Sequence, residues 1–245
     1  MKADPQAQRL LLDLQGIDTA LDQLAHRRAT LPELAEVDNL TRQLSELEDE
    51  RVRAQVEVDD LDRNIARLER DVEQVRARKE RDTALLASGR GPARELEALQ
   101  HEIESLNRRQ NDLEDSQLEL MERREQAQAV LDDVESRLAT VREKKAEAEA
   151  RRNEALAAIS AEETARTEAR KPLVAQLPAD LVALYDRIRA DTGIGAAPLR
   201  AGRCGGCQLE LAGSERARVK AAPPDEVLRC DECRRIMIRT PESGL

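Results

Sequence analysis

From Leu40 onward, apolar residues step alternately by four and three: Leu40, Leu44, Leu47, Ala54, Val58, Leu61, Ile65, Leu68, Val72 and Val75, with Arg51 as the polar interruption. A seven-residue repeat of this kind predicts a long helix whose single apolar stripe must bury against another helix. Upstream, the spacing recurs at Leu10, Leu14, Ile17, Leu21, Leu24 and Leu31, then changes register through Leu34 and Val37 beside Pro32. Proline lacks an N–H and clashes with the preceding turn, so a kink or helix restart is expected near 32.

Ser88-Gly89-Arg90-Gly91-Pro92 interrupts the pattern. Two glycines free the backbone and proline suits the first turn of a new helix, so 88–92 reads as a hairpin apex. Beyond it the stripe resumes at Leu96, Leu99, Ile103, Leu106, Leu113 and Leu120 and continues through Leu131, Val134, Leu138, Val141 and Ala155 to Ile159. Gln110, Gln117, Arg124, Lys145 and Arg152 fall on the same seam, where polar residues weaken packing but fix alignment. Residues 6–88 and 92–171 then form arms of nearly equal length, each roughly 120 Å if helical throughout. Symmetric antiparallel folding about the apex would bring Leu68 near Leu113 and Leu14 near Arg166. A coil between two chains is the alternative way to bury both stripes.

The expected organisation is a mainly α chain: an antiparallel coiled-coil hairpin over 1–171, a linking segment over 172–198, and a small cysteine-bearing domain over 199–245. Within the linker, Pro178 opens a short helix carrying Leu181, Leu184 and Ile188 on one face, and Gly193 to Pro198 breaks it. Tyr185 lies on that helix, and its ring is expected to pack against the hairpin base.

Composition narrows the function. The 245 residues hold no Phe or Trp and one Tyr, so a thick globular enzyme core is not expected. No apolar run approaches the roughly 20 residues that cross a bilayer, and the polar start lacks the apolar stretch of a signal peptide. A soluble cytoplasmic protein without a membrane partner is expected. The formal charge is −10, with 40 Lys+Arg against 50 Asp+Glu, which disfavours indiscriminate adhesion to polyanions. His26 and His101 stand apart on the arms, no serine sits in a glycine-framed nucleophile turn, and the acidic pairs fit solvated faces. Neither a catalytic constellation nor a small-molecule substrate is expected.

The sharpest chemistry lies in the tail. Cys204-Gly-Gly-Cys207 and Cys230-Asp-Glu-Cys233 are two short loops whose thiolates can converge tetrahedrally on one zinc ion. Reduced cytoplasmic thiols make metal ligation the better reading than disulfides, and four protein ligands make the zinc structural. A thioredoxin-like dithiol needs a strand and helix setting that this tail does not offer. Leu209/Leu211 and Ile236/Ile238 alternate as short strands, and Ser214 is expected to cap a short helix.

Two basic surfaces are candidates for binding. At the apex, Arg76, Arg78, Lys79, Arg81, Arg90 and Arg94 face only Glu80 and Asp82 within 76–94. On the ribbon, Arg203, Arg216, Arg218, Lys220, Arg234 and Arg235, with Arg200, Arg229 and Arg239, offer phosphate contacts. Four thiolates on a divalent ion carry a formal −2, however, and no aromatic is there to stack on a base. A protein-docking module is at least as well supported.

On Ser88-Gly89-Arg90, Glu95 to Ile103, Leu177-Pro178-Ala179-Asp180-Leu181 and the two cysteine pairs, the chain resembles a bacterial family of long coiled-coil hairpins ending in a four-cysteine zinc ribbon. The likeness covers nearly the whole length, and the alanine- and arginine-rich composition resembles that of actinobacterial proteins. Members of that family include a flagellar regulatory protein that chaperones an alternative sigma factor and binds flagellin messenger RNA. The resemblance implies an adaptor or chaperone-like role near the transcription and RNA machinery, with a protein partner and nucleic acid as a second partner class. The chain is also similar to secondary-channel transcription factors that insert a coiled-coil tip into RNA polymerase, but those tips are acidic and this apex is basic.

Overall fold

A computed structural model describes residues 1–244. Five α-helices run in chain order: α1 (Pro5–Ala29), α2 (Pro32–Ser88), α3 (Ala93–Ala175), α4 (Ala179–Thr192) and α5 (Gly213–Ala221). The strands are β1 (Ala196–Arg200), β2 (Arg203–Cys204), β3 (Leu228–Arg229) and β4 (Ile236–Arg239). The chain divides into two compact units, Met1–Leu34 with Ala150–Leu245, and Ala35–Glu149.

Pro32 marks a restart. The Thr30 amide closes α1 on the His26 carbonyl at 3.0 Å, and α2 begins at the proline. At the other end of α1, the Asp4 carboxylate accepts from the Gln6 amide at 2.7 Å beside Pro5, an N-cap that satisfies one orphan donor. The expected apex falls between the end of α2 at Ser88 and the start of α3 at Ala93, with Gly89 in the left-handed region at φ +61°.

In the unit Ala35–Glu149, α2 and α3 pack antiparallel along the seam. Val37 and Leu40 meet Ala148, Leu47 meets Val134 and Leu138, and Ala54, Val58 and Leu61 meet Ala127 and Leu131. This register corrects the symmetric expectation by about one heptad: Glu69 faces Gln117 at 3.5 Å and Arg76 faces Glu114 at 2.6 Å, so Leu113 lies beside Val75 rather than Leu68. A shift of seven residues returns seam positions to seam positions, most of them apolar, so the heptad spacing alone does not choose between the two. Polar seam residues supply the choice. Gln110 accepts from Lys79 at 2.8 Å, and Arg124 donates to Asp62 at 3.0 Å.

In the other unit, α1, the end of α3 and α4 enclose a core of Leu11, Leu14, Leu177, Leu181, Tyr185 and Ile188. α3 runs through Pro172 to Ala175, and Pro178 then precedes α4 as expected. α4 closes at Gly193, whose left-handed φ of +75° lets its amide reach the Arg189 carbonyl at 2.8 Å.

The sheet order is β2-β1-β4-β3, with β1 and β4 parallel and the outer pairs antiparallel. Here the strand expectation is corrected. Ile236 to Ile238 lie in β4, whereas Leu209 and Leu211 flank a lone bridge at Glu210, and β1 begins in the segment read as linker and crosses its expected end at 198. The sheet is buried on both sides: Ala196, Ile236 and Ile238 face the helical core, while Leu199, Cys204 and Met237 face a second core with Leu211, Val219 and Leu228. Met1 to Ala3 lie along the far edge, where Lys2 bridges Glu226 and the Ala3 amide reaches the Asp225 carbonyl at 2.8 Å. α5 starts one residue before Ser214, with Ala212 at the N-cap and no side-chain cap, which corrects the expected role of that serine.

Candidate metal centre and basic surfaces

Each cysteine pair sits on the same backbone turn. The Gln208 amide returns to the Cys204 carbonyl at 2.8 Å, and the Arg234 amide to the Cys230 carbonyl at 2.9 Å. In both loops the residue after the second cysteine is left-handed, Gln208 at φ +65° and Arg234 at +63°. Gly205 is required by close approach, because a Cβ there would stand 2.6 Å from the Pro198 carbonyl oxygen. Amides of Gly206 and Cys207 point at the Cys204 sulfur, those of Glu232 and Cys233 at Cys230, and that of Arg235 at Cys233.

The four sulfurs lie within 4.8 Å of one another. Cys204 and Cys233 are 3.8 Å apart, and Cys207 and Cys230 are 3.9 Å apart. Tetrahedral zinc with Zn–S bonds of about 2.3 Å sets sulfurs about 3.8 Å apart, whereas a disulfide needs about 2.05 Å. Donor type, spacing and amide arrangement therefore fit one structural zinc. Burial raises the Cys204 thiol and pushes Cys230 up to about 12; burial also acts on Cys233, but the Arg235 amide and neighbouring thiols outweigh it and hold that group lower. Zinc supplies the stable charge partner for thiolates in this setting and links the two loops across the second core.

Most of the ribbon's cations are already engaged. Arg200 pairs with Glu242 at 3.1 Å, Arg203 with Glu210 at 3.6 Å, and Arg218 with Asp231 at 2.8 Å. Arg216 donates to the Gly244 carbonyl, Arg229 to the Arg234 carbonyl, Arg235 to Gly206 and Thr192, and Arg239 to the carbonyls of Ala222, Pro223 and Pro224. Among the described residues, Lys220 and Arg234 are the candidates whose side chains have no such partner. The reason is local: a small domain with little regular structure leaves carbonyls outside ladders, and guanidinium groups satisfy them.

The apex is also partly neutralised, by acids the local reading could not see. Arg76 pairs with Glu114, and Arg78 with Glu102 at 2.8 Å, both across the hairpin. Hydrogen bonds from Gln110 and then Arg76 hold the Glu114 carboxyl below the usual range. Arg81, Arg90 and Arg94 are exposed and have no ion pair among the described residues.

One cluster escaped the sequence reading altogether. Asp18, 1% exposed, accepts from the Tyr185 hydroxyl at 2.8 Å and from Arg170 Nε at 2.8 Å, with Arg189 Nε at 3.6 Å. Gln15 joins it, its amide oxygen accepting from the Gly195 amide at 2.7 Å and the Tyr185 hydroxyl at 3.2 Å. The Asp18 hydrogen bond raises Arg170, while burial first and Asp18 second raise Tyr185. This knot ties α1, α3, α4 and the start of β1 together. The available signal was an acid within the apolar face of α1 whose buried positions include Leu11 and Leu14.

Helical hairpin and closed four-cysteine ribbon together define a zinc-stabilised coiled-coil protein, and no helix among the described residues is long and apolar enough to cross a membrane. Residues 14–193 match the CT398-like coiled coil hairpin domain and residues 203–237 the C4-type zinc ribbon domain, so the chain belongs to the CT398-like hairpin family. An uncharacterized protein of Mycobacterium tuberculosis is 39% identical over 98% of both chains. A solved structure from Mycobacterium smegmatis superimposes with a TM-score of 0.87 at 37% identity, covering 98% of this chain and all of that one. CT398 from Chlamydia trachomatis shares the fold at a TM-score of 0.69 and 18% identity, covering 96% of this chain and 98% of its own.

Proposed function

We propose that the protein is a non-enzymatic, zinc-stabilised adaptor or chaperone-like protein of the cytoplasm that docks a protein partner of the transcription or RNA machinery through its hairpin tip. The observation that carries this reading is the contrast between the two basic surfaces. Arg81, Arg90 and Arg94 remain exposed without ion pairs, while most ribbon arginines serve the ribbon's own carbonyls and carboxylates. The zinc has four protein ligands and thus a structural role, and both histidines lie on exposed helix faces. A nucleic-acid role for the ribbon would rest on few free cations and no exposed aromatic, since Tyr185 is buried.

The test compares wild type with Arg90→Ala combined with Arg94→Ala, measuring retention of protein from nuclease-treated extract over a salt series. The reading expects retention that declines with salt and a weakened, less salt-sensitive interaction in the variant. Retention that ignores both would contradict it, and retention abolished by nuclease would assign the tip to nucleic acid instead.

A further inference from the structure

Resting on that reading, we propose that the groove between α2 and α3 just behind the tip seats one helix of a partner protein, a helix bearing an apolar stripe flanked by carboxylates. The groove encloses about 610 Å³. Its apolar lining is Val75, Ala77, Leu106 and Leu113, of which Ala77 is exposed, Val75 half-buried and the two leucines buried, with the exposed Gln74 beside them. Arginines edge it from both helices, Arg78 and Arg81 on α2 and Arg109 on α3. Arg81 and Arg109 are exposed and have no ion pair among the described residues, and Asp71 is the single acid in the lining.

Two antiparallel helices leave each flank of their seam half covered, and a third helix laid along the flank completes a bundle. The lining runs along α2 from Asp71 to Arg81, roughly 15 Å or about three helical turns, a length that an amphipathic segment can follow. Because the apolar strip is narrow, selectivity falls to the arginines, which favour carboxylates on both edges of the incoming stripe. A second groove on the same pair of helices lacks this character: it encloses about 310 Å³ and is edged by Glu46, Glu50 and Arg137, with Arg137 paired to Glu50 at 3.3 Å. A phosphate backbone suits the tip groove less well, since Asp71 stands in it and its lining offers no aromatic ring for base stacking.

The experiment places a photo-crosslinking amino acid at position 77 of the full chain in cells, with position 52 on an exposed face of α2 as the off-groove site and positions 90 and 220 as tip and ribbon sites. Captured peptides are sequenced with and without Arg81→Glu combined with Arg109→Glu. The proposal expects position 77 to capture one helical segment with flanking carboxylates. The double reversal should lower that capture by about tenfold or more, with recovery when those partner carboxylates are changed to lysine. Because both arginines are exposed and unpaired, thermal melts of the double variant should match wild type. Capture of nucleic acid, of a second copy of this chain, or of nothing beyond the level at position 52 overturns the proposal. If position 90 or 220 captures protein while 77 does not, the groove assignment fails and the adaptor reading stands. If no position captures protein, the adaptor reading fails as well.

Discussion

Asp18 shows how much one side chain decides at the base of the hairpin. It is buried, and two arginines and a phenol converge on it, so removing its charge leaves guanidinium groups short of their partner. Asp18→Asn should destabilise the protein by about 3 kcal/mol, moderated by the partial exposure of both arginines, as read by denaturant unfolding. Gly195 constrains the same spot, because a Cβ there would stand 2.5 Å from the Tyr185 ring and 2.7 Å from its carbonyl oxygen. Gly195→Ala should cost about 1–3 kcal/mol in the same assay.

Tyr185 also gives a pH dependence with a definite sign. Burial and Asp18 raise its folded pKa above the ordinary value of 10. Below pH ~10 both states keep the proton and the contribution is fully present; above it the unfolded chain ionises while the fold does not, so stability falls as pH rises. Since Tyr185 is the one aromatic residue of the chain, tyrosinate absorbance follows it alone. Absorbance should stay low in folded protein somewhat above pH 10 and appear only with unfolding. Tyrosinate forming in the folded state near pH 10 would contradict the buried, hydrogen-bonded hydroxyl.

Among the elements, the ribbon depends on its metal and the long helices do not. Its strands have five, two, two and four residues, too few to hold without the link between the cysteine loops. Chelation, or Cys204→Ser, should release one zinc per chain and open residues after about 195 to protease. The helical circular dichroism of α1 to α3, with 25, 57 and 83 residues, should change little. Loss of most helical signal on chelation would contradict this independence. The helices were legible because a three-four spacing, two prolines and a glycine-rich break each carry a local physical meaning. Their register was not, because a heptad repeat matches itself after seven residues. β1 was obscured by Pro198 and the adjacent glycines, and its pairing with β4 is non-local. The zinc ligands stood out because paired thiols at close spacing have few other uses. Asp18 did not, because one acid among 50 becomes notable only when Arg170 and Tyr185 are brought to it from far along the chain.

At the scale of the whole molecule, the distribution of unpaired charge carries the functional reading. Residues 199–245 hold nine Lys/Arg against seven Asp/Glu, which alone would nominate the ribbon as the basic partner surface. Side-chain bonding reverses that order, since ribbon guanidiniums largely satisfy the ribbon, while three of the six apex cations, Arg81, Arg90 and Arg94, are exposed with no ion pair among the described residues. Screening makes such exposed charges sensitive to ionic strength, so partner binding should weaken as salt is raised while the fold does not. The measurement that bears most directly on a protein-docking tip is quantitative mass spectrometry of what co-purifies with the full chain after nuclease treatment, wild type beside Arg81→Glu combined with Arg90→Glu and Arg94→Glu. The account predicts a protein that survives nuclease with wild type and is lost with the variant; a partner that disappears with nuclease, or that binds the variant equally well, would contradict it.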